Sequence, residues 1–146
     1  MIIKLFRNEQ VDYVAHMVKK LWPEHEINDL KRILIDYVKS NSSAVFSKII
    51  DEKYVGVALC TLRYDYVEGC ESSPVCYLEG IYVDEEYRMN GIAKNLCKEC
   101  ENWGRSKGCK EFESDCELTN DVSLNFHLNI GFKEENRIIC FKKMLQ

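Results

Sequence analysis

Residues 84–96 contain the residue types of an anion-binding loop, in the spacing Arg88-x-x-Gly91-x-Ala93. A short loop between a strand and a helix exposes backbone N–H groups at the positive end of the helix, where phosphate binds well. Gly91 permits backbone angles that other residues avoid, and the small Ala93 leaves room for a ligand. An ordinary tight turn before a helix fits the pattern equally well. A Walker loop or a dinucleotide fingerprint does not, because the required lysine and further glycines are missing.

A second candidate is Glu79, a lone carboxylate in the otherwise apolar segment 74–83, "PVCYLEGIYV". A buried charge is costly unless a partner neutralises it. That partner is either a structural cation such as an arginine, or the ammonium group of a bound ligand. Farther along, Asp115 ends the acidic run "EFESD", for which a solvated strand edge is the ordinary explanation.

The elements that must position these residues follow from apolar periodicity. The pattern predicts the order β-α-α-β-β-β-α-β-α-β-β, with the loop between a buried central strand and the third helix. "CKEFESDC" is the next strand, Asn120 caps a short helix, and two closing strands end in "RIICFKKML". We therefore expect one α/β (α+β) domain, residues 1–146, with a central mixed, splayed β-sheet flanked by helices.

Composition narrows the class of protein. The chain has 146 residues and a net charge of −4, which argues against a nucleic-acid partner. No apolar run is long enough to span a membrane, and no export signal is evident, so we expect a cytoplasmic protein without a membrane partner. The eight cysteines are then expected to be free thiols, and no second C-x-x-C or histidine pair completes a metal site beside Cys97 and Cys100.

The loop resembles the acetyl-CoA loop of the GNAT acyltransferase superfamily, whose pattern is [Q/R]-x-x-G-x-[G/A]. It also lies where that family has it, between a splayed fourth strand and the third helix. The resemblance implies that the loop N–H groups hold the CoA pyrophosphate and that the preceding strand pairs with the pantetheine arm. Gly80 is expected to help that strand splay from its neighbour. The residues implied to bind acetyl-CoA, the co-substrate, are Ile81, Tyr82, Val83, Arg88, Met89, Asn90, Gly91, Ile92, Ala93 and Asn120.

"FHLNIGF" (126–132) is similar to another element of the same superfamily, with His127 where a tyrosine is usual. That tyrosine protonates the departing CoA thiolate in many members. Histidine side chains ordinarily titrate near neutrality, so a histidine at position 127 is suited to the same role. The alternative is a histidine packed against the sheet.

A narrower resemblance covers nearly the whole chain. "LWPEH" (21–25), "RYDYVEGCESSPVCYLEGIYV" (63–83) and "EFESDCELTN" (111–120) look like segments of the aminoglycoside 6′-N-acetyltransferases. This resemblance implies acetylation of the 6′-amine of an aminoglycoside, by direct attack of the amine in a ternary complex. Glu79 would bind that amine or accept its proton. The residues implied to bind the substrate are Trp22, His25, Tyr66, Glu79, Asp115 and Asn136.

Some alternatives stay open at this point. The related enzymes often carry glutamate where this chain has Asn136, so the preferred drug is expected to differ. They are commonly homodimers, and the apolar segment "RIICF" is suited to pairing with a second copy. A GNAT enzyme for another small amine or a peptide N-terminus shares the loop, as does a non-catalytic acyl-CoA-binding module. Neither requires the "LWPEH" and "YLEGIYV" segments.

Overall fold

The computed structural model describes all 146 residues and contains one five-stranded sheet. The strands lie in the order β1 to β5, with antiparallel pairing throughout except for the parallel pair β4 and β5. Their bounds are Ile2–Lys4, Ser43–Ile50, Lys53–Arg63, Val75–Val83 and Phe112–Glu113. The helices α1 to α4 span Val11–Leu21, Ile27–Lys39, Ile92–Ser106 and Asp121–Asn129. The first nine predicted elements are therefore confirmed in type and order.

Two apolar layers cover the faces of the sheet. Leu30, Leu34, Val14 and Val18 of the first two helices are fully buried against one face, together with Leu59 of β3. On the opposite face, apolar side chains of α3 pack against β3 and β4; they include Ile92, Leu96, Cys100 and Trp103. Both layers come from the helical stripes of apolar residues in the sequence, because each helix buries one face.

The sheet splays between β4 and β5, as predicted. These strands pair only at Cys76 with Phe112 and at Tyr77 with Glu113. Beyond Tyr77, β4 continues to Val83 with β3 on one side and no strand on the other. The splay therefore leaves one edge of the β4 backbone free for a ligand that can accept or donate sheet-like hydrogen bonds.

A β-bulge lies at Glu79. Leu59 of β3 pairs with Gly80 and the next residue, Cys60, pairs with Leu78, so that Glu79 has no opposite residue. A bulge inserts one residue into a strand and redirects its side chain, often beside an active site. Gly80 makes room for the end of α1, because a Cβ at this position would lie 2.9 Å from Leu21 Cδ1. Its role in the splay of the strand stays a prediction.

The prediction of two closing strands is wrong for this structure. Residues 133–146 form neither strand nor helix, and β5 has only two residues where eight were predicted. A strand exists only when a neighbour satisfies its backbone, and none does so here. Apolar side chains of this segment are consequently exposed; they include Ile138, Ile139, Phe141, Met144 and Leu145. No helix of the chain has the length and apolar character needed to cross a bilayer.

Candidate active site

The loop before α3 presents a row of free backbone donors. Gly91 is the residue that precedes α3 and has a left-handed conformation, with φ +74°, and a Cβ at this position would meet nothing within 4 Å. The N–H groups of residues 89–94 donate no hydrogen bond within the chain. Because the first turn of α3 contains no acidic side chain, the positive end of the helix is uncompensated. The arrangement is suited to holding a phosphate group.

Arg88 is held in place beside this row. Its Nε donates to the Val83 carbonyl at 2.8 Å, and its guanidinium lies 5.2 Å from the centre of the Tyr82 ring. Asn90 braces the loop by donating to the carbonyls of Tyr87 and Arg88. Met89 has a positive φ of 66° and a fully exposed side chain. Arg88 is thus fixed by contacts with β4, with its terminal nitrogens available to an anion.

The free edge of β4 lies next to the loop. Ile81, Tyr82 and Val83 pair with β3 through Ala58, Val57 and Gly56. Their other side faces the splay, where β5 has already ended. The residues predicted to contact the coenzyme, 81–83 and 88–93, are therefore brought together by the structure into one continuous surface. Asn120 forms the N-cap of α4, with its side-chain oxygen accepting from the Ser123 N–H at 3.1 Å.

Glu79 has an arginine partner, which is one of the two alternatives that the sequence left open. Arg63 Nη2 donates to both carboxylate oxygens, at 2.6 and 3.0 Å, and Arg63 Nε donates to Oε1 at 3.0 Å. The Thr61 hydroxyl donates to the same Oε1 at 3.1 Å. The side chain of Glu79 is 18% exposed and that of Arg63 is 43% exposed, so the pair opens to solvent on the arginine side.

Tyr77 connects this pair to Asp115. The Tyr77 hydroxyl donates to the Asp115 carboxylate, and the Arg63 guanidinium carbon lies 3.4 Å from the centre of the Tyr77 ring. Burial, followed by the bond to Asp115, raises the pKa of Tyr77 well above its ordinary value. Glu79 and Asp115, far apart in the sequence, thus belong to one hydrogen-bonded network that contains two carboxylates. Arg63 and Tyr77 were not predicted as site residues, because the bulge that brings Arg63 to Glu79 leaves no local pattern in the sequence.

The "LWPEH" turn follows directly after α1. Trp22 ends that helix, and its Cζ2 would lie 3.6 Å from a Cβ at Gly80, which places the indole beside β4 next to Glu79. The His25 ring meets the Trp22 ring edge-on at 6.4 Å. Lys19 holds the turn by donating to the carbonyls of Pro23, at 2.7 Å, and His25. Trp22 and His25 therefore line the same side of β4 as Glu79.

Tyr66 and Asn136 lie in exposed chain segments joined by Glu68. The Tyr66 hydroxyl is 3.4 Å from one Glu68 oxygen, and the Asn136 amide donates to the other. Neither is hydrogen-bonded to Glu79 or Asp115. Several carboxylates lie near one another here. Burial, and then the negative charges of Glu111, Glu135 and Glu68, raise the pKa of Glu113. This side of the molecule is suited to a cationic ligand.

His127 is packed against aromatic rings and is hydrogen-bonded through both ring nitrogens. Its ring centre lies 5.1 Å from that of Phe132 and 5.5 Å from that of Phe126. Nδ1 is 2.6 Å from the Ser123 carbonyl oxygen, and Nε2 is 2.8 Å from the Ser114 hydroxyl. Ser114 follows β5, at the mouth of the splay. His127 is therefore the packed histidine of the two alternatives, and its acid role stays a prediction.

Comparisons with known proteins agree with this geometry. Residues 7–132 match the family model described as Acetyltransferase (GNAT) family. The chain is 36% identical to "Aminoglycoside N(6')-acetyltransferase type 1" of Salmonella typhimurium, over 98% of this chain and 99% of that protein. It is 37% identical to the protein of the same name from Serratia marcescens, over 99% of both chains.

Solved structures are similar over the whole chain. One is AAC(6')-Iy in complex with the bisubstrate analog CoA-S-monomethyl-acetylneamine, with a TM-score of 0.94 and 33% identity over 99% of this chain and 98% of that one. Another is the aminoglycoside antibiotic 6'-N-acetyltransferase AAC(6')-Ih from Acinetobacter baumannii. Its TM-score is 0.93, with 32% identity over 100% of this chain and 99% of that one.

Proposed function

This chain belongs to the GNAT acetyltransferase family, and from that premise we propose that it transfers the acetyl group of acetyl-CoA to the 6′-amine of aminoglycoside antibiotics. One observation carries the proposal. The free N–H groups of residues 89–94 continue into the free edge of β4, and that edge leads to the carboxylate of Glu79. A phosphate-holding end, an extended channel and an acidic end follow one another, in the order that an acetyl-CoA and an amine require. Modification of the drug amine implies a role in resistance.

The donor site uses the residues of the loop and of β4. We propose that the N–H groups and the Arg88 guanidinium hold the pyrophosphate, because backbone donors at a helix start and a bidentate guanidinium both suit phosphate. The arm of the coenzyme would then lie along Ile81–Val83. Asn120 caps α4 through its oxygen, which leaves the amide nitrogen free for a contact with the coenzyme.

The reaction is a direct transfer within a ternary complex. The lone pair of the neutral amine attacks the thioester carbonyl, the C–S bond breaks, and the nitrogen loses one proton while the departing thiolate takes up one. We propose that Glu79 binds the amine and that His127, through Ser114, supplies a proton to the thiolate. No side-chain nucleophile is needed, and the buried thiols such as Cys60 and Cys97 have pKa values well above their usual range.

The drug is proposed to lie between the "LWPEH" turn and the acidic side of β4. Trp22 offers an apolar face to a sugar ring, and His25 lies next to it. Asp115 supplies an anion for a second ammonium group. Tyr66 and Asn136 border the cleft from the exposed loop and the closing segment. Asn136 is neutral where related enzymes often have glutamate, so the preference among drugs is expected to be this chain's own.

A turnover assay tests the proposal. Purified protein is mixed with acetyl-CoA and either kanamycin, which has a 6′-amine, or paromomycin, which has a 6′-hydroxyl, and thiol release is followed. Turnover with kanamycin and little with paromomycin is the expected result. Activity on polyamines or peptide N-termini but no 6′-amino drug would favour another GNAT activity. Acetyl-CoA binding without any turnover would favour a binding module.

We propose further that the protein is a homodimer formed through its closing segment. Ile139 is 80% exposed and Phe141 is 91% exposed, although both are large and apolar. Side chains of this kind are rarely left in water together, and a cluster of them marks an interaction surface. The outer edge of β5 also has no neighbour. A second copy is the partner that offers both a free sheet edge and an equally apolar segment.

Light scattering after size exclusion tests the dimer, with a mass of twice 17.1 kDa as the expected result. Ile139→Asp with Phe141→Asp should give the monomer. Val122→Asp is the matched control, because Val122 is an 83% exposed apolar residue of α4 outside the closing segment, and the change should leave the dimer intact. A monomeric wild-type protein would contradict the proposal. The eight free thiols also suit a reducing compartment, and we propose that the protein acts in the cytoplasm.

A further inference from the structure

Arg63 pairs with Glu79, the carboxylate to which the resemblance assigns the substrate amine. Its guanidinium is bidentate on Glu79 and stacks on the Tyr77 ring at 3.4 Å. The planar guanidinium therefore has a fixed orientation, set by β3 below it and by the tyrosine face beside it. Glu79 Oε1 accepts three hydrogen bonds, whereas Oε2 accepts one, so Oε2 has capacity for another donor.

An unpaired carboxylate at this place would oppose the reaction. Only the neutral amine carries the lone pair that attacks the thioester. A carboxylate within a few ångströms favours the charged form of an amine and raises its pKa by about 1 to 3 units. Tight binding of the ammonium form would thus hold the substrate in its unreactive state. A carboxylate whose charge is already neutralised can accept the amine's hydrogen bond without that effect.

We propose that Arg63 is a positioning residue that neutralises Glu79, so that Glu79 Oε2 binds the 6′-amine in its neutral, reactive form. This inference rests on the proposed function. Arg63 acts through Glu79 and makes no contact with the thioester. The two side chains form a neutral acceptor whose orientation is fixed by Thr61 and Tyr77. The proton that the amine loses after attack balances the one that the departing thiolate takes up through His127, so the pair needs no net proton change.

The other groups facing the pair do not replace Arg63. From α2, Tyr37 approaches Glu79, and burial followed by Glu79 itself raises the pKa of Tyr37 to about 12. On β4, Tyr77 also keeps its proton, because its pKa is raised, and it is bonded to Asp115 after β5. Cys60 of β3 is a buried thiol whose pKa is raised. None of these groups can carry a positive charge, so none can take the place of Arg63.

Lys19, a cation of α1, is engaged by backbone carbonyls. The Lys19 ammonium is bonded to the carbonyls of Pro23 and His25 in the turn that follows α1. The charge balance at Glu79 therefore depends on Arg63. Aminoglycosides carry several further ammonium groups, for which Asp115 and the carboxylates around Glu113 remain available. Affinity for the drug and reactivity of its 6′-amine are thus assigned to different carboxylates.

The test measures the single-turnover rate of acetyl transfer to kanamycin as a function of pH, with enzyme in excess so that product release does not contribute. In Arg63→Gln, the unpaired Glu79 should shift the rise of the rate toward higher pH by about 1 unit or more. The rate at pH 7 should fall roughly tenfold and recover at alkaline pH. Arg63→Lys, which keeps the charge, should leave the rise near its wild-type position.

The double variant makes the test specific for charge compensation. Glu79→Gln alone leaves Arg63 unpaired, and the single-turnover rate should then increase at a lower pH than in the wild type. In the double variant Glu79→Gln with Arg63→Gln, the rate should again increase at the wild-type pH, even though the absolute rate is lower. A purely structural role for Arg63 predicts no such reversal, because two structural losses do not restore each other.

Controls separate folding from chemistry. Arg105→Gln removes an exposed arginine from a salt bridge on α3 and should change neither the pH dependence nor the rate. Thermal unfolding and acetyl-CoA affinity are measured for each variant, and both should stay close to wild type in Arg63→Lys. An unchanged pH dependence in Arg63→Gln would overturn the inference while leaving the function intact. Absence of kanamycin turnover by the wild type would instead overturn the proposed function.

Discussion

His127 Nε2 lies 2.8 Å from the Ser114 hydroxyl oxygen, while His127 Nδ1 lies 2.6 Å from the Ser123 carbonyl oxygen. A carbonyl can only accept, so the neutral ring carries its proton on Nδ1, and Nε2 accepts from Ser114. The imidazolium form would reverse the second bond and donate to Ser114. The hydroxyl thus stands between the ring and the splay, as the link through which His127 can deliver a proton.

We predict that His127→Ala lowers kcat roughly a hundredfold, the usual size of a general-acid contribution, with little change in acetyl-CoA affinity. Ser114→Ala should cause a similar loss, because it breaks the same link. The double variant should be no slower than the slower single one, since residues acting as a unit are not additive. Steady-state thiol release measures all three. Unchanged kcat in His127→Ala would remove the acid role.

Gly91→Ala tests the phosphate-holding loop. Forcing a Cβ onto a backbone with φ +74° should cost about 1 kcal/mol of stability, and the methyl group should project where the pyrophosphate is expected. Gly108→Ala is the matched control, because Gly108 has φ +86° and equally open space but lies after α3. Similar losses of Tm are expected in both. Calorimetry should show weaker acetyl-CoA binding in Gly91→Ala alone, and equal binding losses would contradict the loop assignment.

Part of this site could be predicted from local sequence and part could not. The loop was predictable, because Gly91 and the start of α3 are encoded within a few residues. The partner of Glu79 was not, because the bulge depends on the register between β3 and β4, which many distant contacts determine together. The closing strands were predicted from apolar alternation alone, but a strand also needs a neighbour, and residues 133–146 have none within the chain.

Gly80→Ala tests the junction of β4 with the "LWPEH" turn. The added methyl group would lie 2.9 Å from Leu21 Cδ1 and 3.6 Å from Trp22 Cζ2. The end of α1 must therefore shift, and Trp22 with it. We expect the KM for kanamycin to rise several-fold, and stability to fall by about 1 kcal/mol, as in mild overpacking. Gly56→Ala, which would crowd Ile92 and Leu96 at 3.2 Å on the other face, should reduce stability without raising that KM.

Asp115→Asn tests the second anion of the cleft. Loss of one partly exposed charge pair is worth about 1 kcal/mol, so the KM for kanamycin should rise roughly fivefold while acetyl-CoA affinity is unchanged. The rise should shrink at high salt, because screening already weakens the wild-type contact. Glu86→Gln removes an exposed carboxylate paired with Lys53, at the far end of β4, and serves as the control. An equal rise in KM for both variants would contradict a specific contact of Asp115 with the drug, because any surface carboxylate would then have the same effect.

Stability is predicted to fall at alkaline pH through the buried thiols. Burial, followed by the negative charge of Glu101, raises the pKa of Cys97 from 9.0 to about 12 in the folded chain. The unfolded chain therefore loses this proton first, and the contribution of Cys97 is fully present below about pH 9 and is lost as pH rises toward 12. Urea unfolding under reducing conditions between pH 8 and 10.5 should show this decline. Cys97→Ala should make the decline less steep, since Cys60 and Cys76 still contribute, whereas the exposed Cys140→Ala should leave it unchanged. If neither variant changes the fall of the unfolding free energy with pH, groups other than Cys97 cause that fall.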